Sequence, residues 1–320
     1  MVYLGGKPIP GSAAALLAAA ARGMKLAYVT NNASRTPHAI AAQLTAMGVP
    51  ATAADIVTSA QAAAHVLADR LPAGAPVLVV GGSGLRLAVR ERGLRPVTSA
   101  IERPLAVVQG YAPDISYGLL AEAVLAINAG AWYVISNADP TLPTPRGAQP
   151  GNGSLAQVVI HATGQRPVVA GKPEPPLHAE SVQRVGAERP LVVGDRLDTD
   201  IEGAHRGGAD SLLVLTGVTQ PPELLLAAPE HRPSYVAADL AGLNVSHPSV
   251  TADGGRFSCG GWTASGGAGE AWLAVTGAGP WIDGLRALCA AAWSAGPPPG
   301  SPEEQHRAAV VVLAAIGQPG

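Results

Sequence analysis

Up to about residue 245, apolar and polar positions along the chain alternate between two rhythms. Short apolar runs that suit buried strands are followed by stretches with apolar residues at helical spacing. A helix is expected over 12–22, with Ser12 as its N-cap and Gly23 as its stop. A strand over 25–29 and a helix over 36–47 follow, then "IVTSA" (56–60) and a helix over 61–71. The run "PVLVVGG" (76–82) opens a second group: helix 84–92, strand 105–110, helix 117–129 and strand 132–136. A stretch rich in Pro and Gly, 137–153, reads as a long surface loop of the kind that often carries function. Beyond it lie a helix over 154–163, the run "PVVAGK" (167–172), a strand–helix unit over 190–206 and a strand over 211–217. Such alternation predicts an α/β fold with a mainly parallel sheet. From about 250 the chain turns Gly-rich, with short β-like pieces and two amphipathic stretches, 281–295 and 303–316.

Composition narrows the function classes. Charged residues make up 14% of the 320 positions and the formal net charge is −2, so no basic nucleic-acid surface or polybasic anchor is indicated. No apolar run reaches the roughly 18 residues of a membrane span, and "MVYLGGKPIPG" lacks the basic start of a signal peptide. A cytoplasmic protein without nucleic-acid or membrane partners is the expectation. The two cysteines are too few for a disulfide framework and lack metal-ligand spacing. Lysine occurs only at Lys7, Lys25 and Lys172, in a chain otherwise biased to Ala, Gly, Pro and Arg.

Three stretches carry candidate chemistry. In "LVVGDRLDTDIEGA" (191–204) an apolar run ends on Asp195, and Asp198 and Asp200 follow within five residues. One such Asp caps a helix; three together point to a cation that offsets their repulsion. In "YVTNNASRT" (28–36) the hydroxyl of Thr30 and the polar Asn31 and Asn32 sit at a strand end, where phosphate oxygens are held, although an ordinary bend has the same wording. In "AGKPEPPLH" (170–178) Lys172 lies on a tight turn entering a helix, positioned for phosphate or for plain solvent exposure. Together the three suit phosphoryl transfer, which needs a divalent cation, a lysine and donors around the transferred group. Asp195 is then the metal ligand, Lys172 offsets charge, and Asp200 orients the lysine or a metal-bound water. "GGSGLRLAV" (81–89) lacks full dinucleotide spacing and reads as a plain strand-to-helix turn.

The order "VTNNASRT", "GKPEPPL", "GDRLDTDIEGA" resembles motifs two, three and four of the haloacid-dehalogenase superfamily of phosphatases. The branch it resembles is subfamily IIA, the NagD- and 4-nitrophenylphosphatase-like enzymes. The Gly-rich tail with "WIDGLRAL" is similar to the C-terminal extension of actinobacterial glycerol-3-phosphate phosphatases. The resemblance implies a Rossmann-like core over 1–73 and 168–245, an α/β cap of the C2 type over 74–167 and a small α+β extension over 246–320. It implies Mg2+ as cofactor, and Lys172, Thr30 and Asp200 as catalytic residues. Substrate contacts fall to Thr30, Asn31, Asn32 and Lys172, with Asn137, Asp139 and Leu142 from the cap's substrate loop. A small phosphorylated metabolite is the implied partner, with glycerol 3-phosphate the first candidate, and a homodimer through the cap is possible.

The family's motif one, Asp-x-Asp-Gly, does not occur in the 320 residues. In the family its first Asp attacks phosphorus and its second moves the proton. The expectation is that both lie just upstream of Met1, with a GUG codon taken as the start. The alternative is a truncated protein that binds phosphate or a partner without turnover. With that motif the core's central strand is expected to be lost from these residues too, at a cost on the order of several kcal/mol.

Overall fold

A computed structural model describes residues 1–4, 7–144, 146–267 and 271–317. Gly5 and Gly6 of "MVYLGG" and Pro145 of the turn-rich stretch lie outside the described residues. The chain forms two compact units, Gly23–Arg189 and a second assembled from Met1–Arg22 with Pro190–Gly320. The fold is mixed α/β with parallel sheets and an added C-terminal extension.

The chain begins with a short antiparallel pair, β1 (Tyr3–Leu4) and β2 (Lys7–Pro8), and helix α1 (Ser12–Ala21). Ser12 is not the expected cap: it is the first helical residue, and the preceding Gly11 takes the cap position with φ of 80°, a left-handed backbone open to glycine.

In the unit Gly23–Arg189, β3 (Tyr28–Thr30) pairs in parallel with β4 (Ile56–Thr58) across α2 (Pro37–Ala46). The Thr36 hydroxyl caps α2 by accepting from the Ala39 amide at 3.3 Å, which explains why the helix starts there. Helix α3 (Ser59–Ala68) starts on a reciprocal cap between Thr58 and Gln61. Then follow β5 (Pro76–Val80), α4 (Ser83–Glu91), β6 (Arg95–Val97), β7 (Ala106–Gln109), α5 (Tyr117–Asn128) and β8 (Trp132–Ile135). Within the stretch expected as an irregular loop the chain forms a hairpin, β9 (Thr141–Thr144) against β10 (Gly147–Pro150). Helix α6 (Asn152–Thr163), β11 (Val168–Val169) and α7 (Pro175–Val185) complete the unit.

Five of these strands form one parallel sheet in the order β11-β8-β7-β5-β6. Its strands read as continuous apolar runs because both faces are covered. Val77 and Val79 pack with Leu67, Leu85 and Val89 on one side, while Leu78 and Val80 pack with Ile127 and Val159 on the other.

In the second unit β12 (Leu191–Gly194), β13 (Asp210–Val214) and β14 (Tyr235–Ala237) form a parallel sheet in that order. A π-helical turn over Leu197–Ile201 and helix α8 (Glu202–Arg206) link the first two strands, and α9 (Pro221–Leu225) precedes the third. The sheet is unevenly buried: Leu212, Leu213 and Val214 of the middle strand are covered, whereas Leu191 of the edge strand is 41% exposed. The extension is an antiparallel sheet, β15 (Thr251–Asp253), β16 (Arg256–Cys259), β17 (Trp262–Gly266) and β18 (Leu273–Gly277), followed by α10 (Trp281–Ala295) and α11 (Pro302–Leu313). It is no appended module. Leu285, Leu288 and Ile316 share one apolar cluster with Leu213, Leu224 and Val236. Polar ties join the same parts: the Trp293 indole donates to the Leu224 carbonyl at 3.1 Å and Arg286 donates to the Val236 carbonyl. Among the described residues no helix is long and apolar enough to cross a membrane.

Candidate active site

Two loops carry the sequence-predicted chemistry, one in each unit. The acid loop follows β12. Asp195, the residue after the strand, has its Oδ2 accepting from the Val218 amide at 3.1 Å, and its carbonyl accepts from the Thr219 amide at 3.0 Å. Residue 217 must be glycine for this approach, since a Cβ there would lie 1.9 Å from Asp195 Oδ2. For the same reason β13 ends at Val214, short of the strand expected over 211–217: the chain turns in toward Asp195 instead.

Asp200, 6% exposed, sits in the π-helical turn, and its Oδ2 accepts from the Asp195 and Arg196 amides, both at 3.2 Å. It thus anchors the backbone from which Asp195 projects. Gly194 lets it in: a Cβ there would meet Asp200 Cβ at 2.1 Å. Asp198 is different. It lies at the surface in a two-pronged ion pair with Arg196, at 3.0 and 2.7 Å. The Arg196 hydrogen bonds hold its carboxyl below the ordinary aspartate value, against some burial. The three acids the sequence groups together therefore have distinct surroundings.

The phosphate-type loop lies in the unit Gly23–Arg189. Thr30 closes β3, and its Oγ1 accepts from the Asn32 amide at 3.1 Å, a local turn. Asn32 Oδ1 accepts from the Arg35 amide at 3.0 Å and from the Ser34 hydroxyl at 3.4 Å. Asn31 makes longer-range contacts. The Lys172 amide donates to Asn31 Oδ1 at 2.8 Å, and Asn31 Nδ2 donates back to the Lys172 carbonyl at 3.2 Å. Asn31 Nδ2 also reaches both carboxylate oxygens of Asp139 at 3.2 Å. Lys172 Nζ lies 3.5 Å from the Val29 carbonyl. Gly171 admits this arrangement, because a Cβ there would sit 2.4 Å from the Ser136 carbonyl and 2.6 Å from Asn31 Oδ1. The structure thus brings Asn31, Asn137, Asp139 and Lys172 into one bonded group, while Thr30 and Asn32, on either side of Asn31 in the chain, bond to each other. Leu142 stands apart from those bonds, half-buried on β9.

Three features escaped the sequence reading. Gly217 and Val218, which seat Asp195, lie in what reads as a strand end. Asn152, 1% exposed, opens α6 two residues before the helix was expected and bonds to the Asn137 carbonyl at 2.7 Å. Glu180 of α7 is buried and accepts from His65 of α3 at 2.6 Å, from Arg92 at 2.8 Å and from Arg184. Burial works against its charge, but the His65 and Arg184 bonds and the two arginine charges outweigh it and hold the Glu180 carboxyl below its ordinary value. Only the Glu180–Arg184 spacing of four residues was visible beforehand. The glycines of "GGSGLRLAV" are accounted for by packing: the Gly84 amide donates to the Ser34 carbonyl at 3.1 Å, and a Cβ on Gly84 would lie 2.4 Å from the Arg35 carbonyl.

The acid loop suits a hard cation. Mg2+ binds through one or two carboxylates, keeps several waters and takes its remaining ligands from substrate phosphate. Asp195 presents one oxygen-ligand carboxylate, and next to Gly217 in the chain the buried Thr216 hydroxyl has no hydrogen-bond partner among the described residues. Among the described residues no group of three or more His, Cys, Asp or Glu side chains is arranged to hold a metal ion by itself.

Comparison with known proteins agrees with this chemistry. A family profile for haloacid dehalogenase-like hydrolases matches residues 1–95, and a second profile of the same kind matches 169–243. Residues 259–317 match a profile for a GCN5-related N-acetyltransferase like domain. The chain is 50% identical over 243 residues to a D-glycerol 3-phosphate phosphatase of Mycobacterium tuberculosis, covering 76% of this chain and 68% of that one. It is 40% identical to a 5'-nucleotidase of Bacillus subtilis over 62% of this chain and 77% of the relative. Among solved structures, a glycerol phosphate phosphatase from Mycobacterium tuberculosis in complex with magnesium superposes with a TM-score of 0.85 at 42% identity, over 97% of this chain and 93% of that one. With its core motifs, its phosphatase relatives and its fold in agreement, the chain belongs to the haloacid dehalogenase-like hydrolases, in the branch of the nitrophenylphosphatase-type enzymes.

Proposed function

We propose that the protein is a Mg2+-dependent phosphomonoesterase acting on a small phosphorylated metabolite, with glycerol 3-phosphate as the first candidate. The observation that carries the reading is the seat of Asp195: a carboxylate at a strand end, fixed by the Val218 amide and admitted only by Gly217. The likeness to a glycerol phosphate phosphatase in complex with magnesium supports both the metal and the substrate class.

Asp195 holds the cation, which when bound neutralises charge on the transferred phosphoryl group. Thr30 and Lys172 hold phosphoryl oxygens, the hydroxyl as a donor and the ammonium as a positive charge. Asp200 keeps the Asp195 backbone in place through its two amide bonds. Phosphoryl transfer by the family's route passes through an aspartyl-phosphate, so an aspartate nucleophile and a proton-transferring acid complete it.

A second reading is favoured by one sequence fact, that no stretch of the 320 residues reads Asp-x-Asp-Gly. On it the chain binds a phosphate ester without hydrolysing it. Phosphate release from glycerol 3-phosphate, measured with Mg2+ and again with chelator, separates the two. Release that stops with chelator supports the esterase. Calorimetric binding of glycerol 3-phosphate with no release supports the second reading, and neither binding nor release overturns both.

A further inference from the structure

At the ends of β7 and β8 and the start of α6, in the unit Gly23–Arg189, lies a run of buried polar side chains where apolar ones would pack. Gln109, Ser136, Asn137 and Asn152 are each no more than 4% exposed, and Tyr133 is 3% exposed. A buried amide without partners costs about 1–3 kcal/mol, and a well-shaped apolar pair in its place is close to neutral. Packing alone therefore does not call for these groups.

Their bonds run in one direction. The Tyr133 hydroxyl donates to Gln109 Oε1 at 2.6 Å, and Gln109 Nε2 donates to Asn152 Oδ1 at 3.5 Å. Asn152 Nδ2 donates to the Asn137 carbonyl at 2.7 Å, and Asn137 Nδ2 donates to the Asn31 carbonyl at 2.8 Å. The Ser59 hydroxyl donates to the same carbonyl at 2.7 Å. Asn31 then exchanges the two bonds with the Lys172 backbone described above. Burial pushes the Tyr133 phenol well above its ordinary value, which keeps it a neutral donor at the head of the series. Each amide's donor and acceptor ends are thereby fixed by the one before it.

The place of Asn152 matters. It directly follows the β9–β10 hairpin, whose base is closed by short backbone contacts: the Gly151 amide donates to the Pro140 carbonyl and the Gly153 amide to the Asp139 carbonyl, both at 2.9 Å. Neither glycine can be larger, since a Cβ would meet the Asp139 carbonyl at 2.3 Å or the Ala138 carbonyl at 2.2 Å. The base of the hairpin and the Asn31–Lys172 ring are therefore ends of one bonded series, and Asn152 joins them.

We propose that Asn152 is a positioning residue: it fixes Asn137 against the Asn31 carbonyl and so sets the Asn31–Lys172 ring relative to the β9–β10 hairpin. Its kinetic consequence rests on the phosphatase reading, but the positioning itself does not. The Gln109–Asn152 bond is the longest in the series, so Gln109 contributes less than Asn152.

The test is site-resolved hydrogen exchange by NMR on the full chain, following the Lys172 amide. In Asn152→Leu, which removes both bonds at similar volume, that amide is expected to exchange at least ~10-fold faster, the equivalent of about 1.4 kcal/mol. Asn152→Ala, which removes both bonds without adding a new donor, is expected to match the Leu variant. Gln109→Leu is expected to give a smaller change. Thr163→Val, which removes the Thr163 hydroxyl bond to the Val159 carbonyl at the far end of α6, serves as the control and is expected to leave the Lys172 amide as it was. If the Asn152 variants leave Lys172 exchange unchanged, or speed every amide of the unit equally, the positioning role is overturned. A variant that does not fold is replaced by Asn137→Ala, which removes the side-chain donor to Asn31 and is held to the same two outcomes. With glycerol 3-phosphate and Mg2+, the Asn152 variants should raise KM more than they lower kcat. Absence of turnover in the wild type would remove the phosphatase reading and leave the exchange result to decide the positioning role.

Discussion

The acid loop and the phosphate-type loop are held in opposite ways. Asp195 is seated by groups close in sequence: Asp200 lies five residues on, and Val218 23 residues on. Asn31 is held by Ser59, Asn137 and Lys172, which lie 28, 106 and 141 residues away. The acid loop is built from one strand–turn–helix unit and its neighbouring strand end. The other loop is built only after a five-stranded sheet, a hairpin and three helices have come together. Damage to the first should stay local, while damage to the second should arise from many remote positions.

The largest expected effect is at the local loop. Asp195→Asn keeps the shape and an acceptor for the Val218 amide but removes the charge that holds a cation. Magnesium-dependent turnover should fall by roughly 10²–10³-fold, the scale of a single group that stabilises transition-state charge. Steady-state kinetics across a Mg2+ titration measure it, and unchanged metal dependence would remove Asp195 from the site.

Glycines next sharpen the contrast. Gly194→Ala places a Cβ 2.1 Å from Asp200 Cβ, and Gly171→Ala places one 2.4 Å from the Ser136 carbonyl. Each should cost about 3 kcal/mol or more, the upper end of overpacking, because the groups met are backbone or next to it. Denaturant melts give the stability loss. The Gly171 variant should also speed exchange of the Lys172 amide, and the Gly194 variant should not.

This difference also explains how far the sequence could be read. The acid loop was legible because its chemistry is contiguous: an apolar run, a glycine and three acids already imply a strand end and a crowded turn. Strand and helix order was legible for the same reason, since local period decides it. The β9–β10 hairpin was hidden under prolines and glycines that read as an irregular loop. Asn152 was hidden because nothing nearby in sequence marks it as buried; its partners are Gln109 and Asn137, 43 and 15 residues away. The sequence reading assigns Asp200 an orienting role and Asp198 none; the π-helical turn supplies the physical reason, sending one inward to the backbone amides and the other outward to Arg196.

Glu180 gives a long-range contact that pH can break. Its folded value lies below the unfolded glutamate value of about 4.3, so its stabilisation is present above that pH and is lost as pH falls through the folded value. Chemical melts at neutral pH and at about pH 3.5 should show that loss, and Glu180→Gln should remove that part of the pH dependence. At neutral pH the substitution should cost about 1.5–3 kcal/mol, the range for hydrogen bonds to charged groups. A wild-type profile that Glu180→Gln leaves unaltered would assign the acid sensitivity to other carboxylates.

The smallest effect is expected within the acid loop itself, at Asp198. Its pair with Arg196 has good two-pronged geometry, but both side chains are substantially exposed, 58% and 43%. Solvent screening limits such a pair to about 1 kcal/mol or less. Asp198→Asn should therefore leave stability within that margin and turnover close to wild type, measured under the conditions used for Asp195→Asn. The two substitutions make the same chemical change three residues apart. If Asp198→Asn were as damaging as Asp195→Asn, the loop would act as one acidic cluster, and the separate surroundings of its carboxylates would not matter. If only Asp195→Asn is damaging, the π-helical turn is what distinguishes them, by turning Asp198 to solvent and Asp200 to the amides that carry Asp195.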